Sequence, residues 1–113
     1  MTTRAERFDD LVLDSAERLE DVLGGHAVEF AVEDVPPSDP APWEGDAVPL
    51  GRVFPGRGSV TPRIVVYRRP VEARAADERE LAQVVHDVVV EQVAALLGVR
   101  PGEVDRRYDE GDD

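Results

Sequence analysis

The chain reads as an α+β domain in which two amphipathic helices bracket three or so short strands. Three observations carry that expectation. Apolar residues recur at helical spacing near both ends of the chain, they alternate at strand spacing in between, and the joints are marked by glycine and proline, nine of each in 113 residues.

Thr3 followed by Glu6 is a capping box, so a helix is expected through about Leu23, with Phe8, Leu11, Val12, Ala16, Leu19, Val22 and Leu23 on its apolar stripe. Gly24 and Gly25 stop it. Val28, Phe30 and Val32 alternate with Glu29, Ala31 and Glu33, the pattern of a strand with one face inward, and Pro36-Pro37 closes it. Ser38 to Pro42 has loop composition, and Trp43 is expected to anchor it locally. Val48 to Phe54 reads as a short strand interrupted by Gly51, Gly56-Arg57-Gly58 as a turn, and Ile64 to Arg68 as a strand that stops at Pro70. Asp77 caps a long helix that opens with Glu78, with Glu80 at the capping-box position, and Gly98 ends it with Pro101 beyond. Glu103 to Tyr108 is expected to add one more turn. The resulting boundaries are a single domain over 1–108 and an acidic, disordered tail over 109–113.

Composition narrows the function classes. A formal net charge of −12 disfavours nucleic acid and anionic membrane as partners, and the main basic group, Arg68, Arg69 and Arg74, is expected to be a solvated edge. There is no cysteine, hence no disulfide or thiolate metal site, and no apolar run approaches membrane-spanning length; a cytoplasmic protein is expected.

Within the long helix, Leu81, Val84, Val85, Val88, Val89, Gln92 and Leu96 fall along one face at about 100° per residue, with Val93 at its border. Gln92 thus lies mid-stripe, where burial without partners would cost roughly 1–3 kcal/mol. Glu91 and Ala95 lie one turn apart on the flank and point to the same place, while His86, Asp87 and Val90 fall on the opposite side. Two histidines at that spacing, with a glutamate after the first, would hold zinc and polarise the attacking water. This chain has Glu91, Gln92 and Ala95 there instead.

The stretch Val89-Val90-Glu91-Gln92-Val93-Ala94-Ala95-Leu96-Leu97-Gly98-Val99 resembles the motif helix of the zincin-like metallopeptidase family of small actinobacterial proteins, the minigluzincins, whose helix runs V-V-H-E-h-x-H-h-x-G-h with h apolar. The likeness extends without a gap from Leu81 to Val99. It reaches further through Phe8-Asp9-Asp10-Leu11-Val12, Val32-Glu33-Asp34-Val35-Pro36, Glu44-Gly45, Val48-Pro49-Leu50 and Pro62 to Pro70. The resemblance implies a small zincin-like fold with two main helices packed on a short mixed sheet. It puts the motif glycine at Gly98 and the third ligand at Pro101, which has no donor atom to offer.

At the family's functional positions, then, Glu91, Gln92 and Ala95 are degenerate. A carboxylate can ligate zinc, but Ala95 carries no donor and the amide of Gln92 cannot serve as a base. The expectation is a catalytically inactive member with no cofactor, kept as an interaction or structural module for a protein or peptide. One alternative is a metallopeptidase that recruits zinc through Glu91 with Glu103 or Asp105; another is an acidic protein that binds a basic partner through surface charge. His26 and His86 are each expected to be solvated surface residues.

Overall fold

The computed structural model describes residues 2–37 and 48–110. The loop and anchor expected at Ser38 to Trp43, the Glu44-Gly45 segment, and the tail beyond residue 110 lie outside these residues.

Thr3 does cap the first helix, α1 (Arg4–Arg18), and its capping box with Glu6 is complete. The helix ends earlier than periodicity predicts. Leu19 leaves helical geometry at φ −105° and ψ 8°, and a separate turn, α2 (Glu20–Leu23), follows before Gly24 takes the left-handed stop at φ 57°. That break rotates the last turn, so Val22 is exposed, while Ser15, absent from the expected stripe, occupies a core position.

The sheet is mixed, in the order β1-β3-β2, with β3 (Arg63–Tyr67) central. It runs parallel to β1 (Glu29–Glu33) and antiparallel to β2 (Gly51–Phe54). The β-branched run Ile64-Val65-Val66 is buried on both faces, as a central strand requires. Strand pairing begins at Gly51 rather than at Val48, and at that first position the backbone runs close to its neighbours. A Cβ on Gly51 would lie 3.0 Å from the Val65 carbonyl oxygen and 3.1 Å from Cγ of Gln92.

After β3 the chain does not simply stop at Pro70. It turns into a helix missed by the sequence reading, α3 (Arg68–Arg74), in which Pro70 occupies the third position, where no backbone N–H is needed for the helical ladder. The long helix α4 (Glu78–Leu97) begins and ends as its caps predict. Asp77 accepts from the Glu80 backbone N–H at 2.9 Å, and Gly98 is left-handed at φ 72°. Two short helices follow, α5 (Pro101–Val104) and α6 (Arg106–Glu110), the latter ending in Asp109 and Glu110. Among the described residues no helix is long and apolar enough to cross a membrane.

Helix α4 packs against α1, α3, α5, β2 and β3. It is therefore buried on more than one side, and Val85, Val88, Val89, Val90 and Val93 join Phe8, Ile64 and Val71 in one apolar core. The single-stripe reading of α4 is corrected accordingly.

Candidate functional site

The family-equivalent positions lie on the C-terminal half of α4. Position 95 is exposed, position 91 is half-buried one turn before it, and position 92 points elsewhere, against Gly51 at the start of β2. The spacing and facing expected of a two-ligand turn are present. The second donor atom is not, because Ala95 ends at a methyl group.

Glu91 is already engaged. The Tyr108 hydroxyl donates to Glu91 Oε2, tying α6 to α4 across 17 residues of sequence. Gln92, half-buried, lays its side chain on the backbone of β2. An amide in that place has no acid–base equilibrium near neutral pH and offers no general base.

The weaker ligand candidates are also placed apart by function. The backbone N–H of Arg100 donates to Glu103 Oε2 at 2.8 Å, closing the first turn of α5. Pro101, at the third-ligand position, is the first residue of that helix. Asp105 accepts from the Arg107 backbone N–H at 3.0 Å and bonds His86 Nε2 at 2.6 Å. Among the described residues, no group of three or more histidine, aspartate or glutamate side chains is arranged to hold a metal ion. Zinc does not fit the side chains at these positions, since one has no donor atom and another is bonded internally.

His86 overturns the expectation of a solvated surface residue. It is 6% exposed, sits between α1 and α5, and uses both ring nitrogens. An ionised Asp105 is acceptor-only, so Nε2–H donates to it; the Ser15 hydroxyl lies 3.0 Å from Nδ1 and can serve as donor or acceptor. Asp105 is held below the usual carboxylate range chiefly by its hydrogen bond from His86; burial, the next largest effect, opposes this, and the Arg107 backbone N–H and the charges of His86 and Arg18 add smaller lowering effects. The missed signal is Ser15 itself, which stands at the i+4 and i+3 positions from the core residues Leu11 and Val12. A polar residue on an apolar stripe requires a partner, and His86 is that partner. His26, by contrast, is exposed in the turn that follows α2.

The profile of the zincin-like metallopeptidase family matches residues 26–110, a span that includes the whole sheet, α4 and positions 91, 92, 95, 101, 103 and 105. The chain belongs to the zincin-like metallopeptidase family. No curated protein matches it.

Proposed function

We propose that this chain is a catalytically inactive zincin-like domain, retained as an interaction or structural module for a protein or peptide. The observation that carries the reading is the pair of side chains one turn apart on α4: Glu91 receives the Tyr108 hydroxyl, and Ala95 has nothing to give a metal. Hydrolysis by the family's chemistry needs two ligands on this turn and a base between them, and here the base position is an amide packed on Gly51. The recruited-ligand alternative draws no support from Glu103, which caps α5, or Asp105, which serves His86.

We further propose a cytoplasmic location and independence from zinc, and, in keeping with a net charge of −12, no affinity for nucleic acid or anionic membrane. Its test is a peptidase assay on a mixed-sequence peptide library, with added zinc and with a chelator. The expected result is no cleavage above the buffer rate in either condition. Cleavage that requires zinc and disappears with the chelator overturns the proposal.

A further inference from the structure

A groove of about 570 Å³ opens where the chain leaves β1, approaches β2 and turns into α3. Its walls are apolar, from Val35, Val48, Leu50 and Pro70, and Arg69 and Arg74 stand beside them. That size falls within the roughly 300–1,000 Å³ of ordinary ligand sites. Val35 and Val48 remain 56% and 54% exposed, so apolar surface is left facing water there.

The floor beneath the groove is fixed by a third arginine. Arg68, with only 15% of its side chain exposed, bonds Asp34 at 3.0 Å and Glu72 at 3.1 Å, tying the end of β1 to α3. The Arg69 backbone N–H adds a bond to the Asp34 carbonyl at 3.0 Å. Arg68 thereby occupies the two nearby carboxylates. Arg69 and Arg74 form no ion pair among the described residues, on a chain whose net charge is −12. Two available guanidiniums beside apolar walls favour an occupant with an apolar anchor and carboxylates next to it, because each part of such a ligand meets its complement.

We infer that this groove docks a peptide segment of a partner protein in which large apolar residues are flanked by acidic ones. The inference deepens the interaction role proposed above and rests on it. Val35 and Val48 receive the apolar side chains, and Arg69 and Arg74 hold the flanking carboxylates.

The test titrates a fluorescein-labelled peptide, Gly-Ser-Asp-Asp-Leu-Phe-Asp-Asp-Gly-Ser, against the full chain, followed by anisotropy and by amide chemical shifts. Saturable binding is expected, with shifts at Val35, Val48, Ala73 and Arg74. Binding should weaken by at least about tenfold in Arg69→Glu/Arg74→Glu, and again in Val35→Ser/Val48→Ser, all four of these positions being exposed and tolerant of change. Far-UV circular dichroism confirms that each variant is folded. Absence of saturable binding, equal binding of the peptide with lysines in place of its aspartates, or unchanged binding in the arginine variant each overturns the inference. Mass spectrometry of the same samples separates the two proposals: an intact but unbound peptide overturns the groove alone, and a cleaved peptide overturns the inactive reading.

Discussion

Replacing Asp105 with alanine should destabilise the protein by about 1.5–3 kcal/mol at pH 7, the range for removing a charged partner from a buried hydrogen bond. The site argues for that range because His86 is 6% exposed and its Nε2 would lose the 2.6 Å bond. The Asp105 side chain is only 18% exposed, so water screens the pair weakly. Unfolding entropy is about 2.1 cal/mol/K per residue, or roughly 0.24 kcal/mol/K for a chain of this length, so the melting temperature should fall by roughly 6–13 °C. The pH dependence has a definite sign. The folded carboxyl is held below its ordinary value, so its contribution is fully present above the unfolded pKa near 3.8 and is lost as pH falls through the lower folded value. Melting followed by far-UV circular dichroism between pH 7 and pH 2.5 should therefore show the wild-type advantage narrowing only below about pH 4. A drop of less than about 2 °C at neutral pH, or a difference that persists undiminished at pH 2.5, would show that the Asp105–His86 bond does not make this contribution.

Three further perturbations probe the relic turn and its surroundings. Gly51→Ala places a methyl group 3.0 Å from the Val65 carbonyl and 3.1 Å from Gln92, and should cost about 1–3 kcal/mol in urea unfolding; adding Gln92→Ala should recover part of that loss, and no recovery would mean the strand backbone is the sole obstacle. Tyr108→Phe removes the donor to Glu91 and should lower stability by about 1–2 kcal/mol while speeding amide exchange in α6, whereas unchanged exchange would show that α6 is held by other contacts. Glu91→His/Ala95→His should respond to zinc where wild type does not, gaining about 2.7 kcal/mol at a hundredfold excess over its dissociation constant; identical melting with and without zinc would show that the turn lacks the expected geometry.

What the sequence disclosed was mostly local. Asp77 and Gly98 define both ends of α4 through caps that depend on a few neighbouring residues, and the i, i+4 relation of Glu91 and Ala95 follows from helix geometry alone. Tertiary packing decided the rest. A helical wheel puts His86 opposite the apolar stripe, but α1 and α5 cover that side, so the residue is buried and needs Ser15 and Asp105. The partner of Glu91 lies 17 residues away in a short helix whose docking no periodicity announces. Helix α3 was hidden because Pro70 reads as a strand terminator, although the first turn of a helix accepts proline just as well.

On the proposed reading, the turn bearing Glu91 and Ala95 no longer binds the family's metal. Its most direct test is elemental analysis of the untagged protein after dialysis with trace zinc and then without it. Less than about a tenth of a zinc ion per chain is expected, from a turn with one donorless position and one carboxylate engaged by Tyr108. Near-stoichiometric zinc that survives the second dialysis would contradict it.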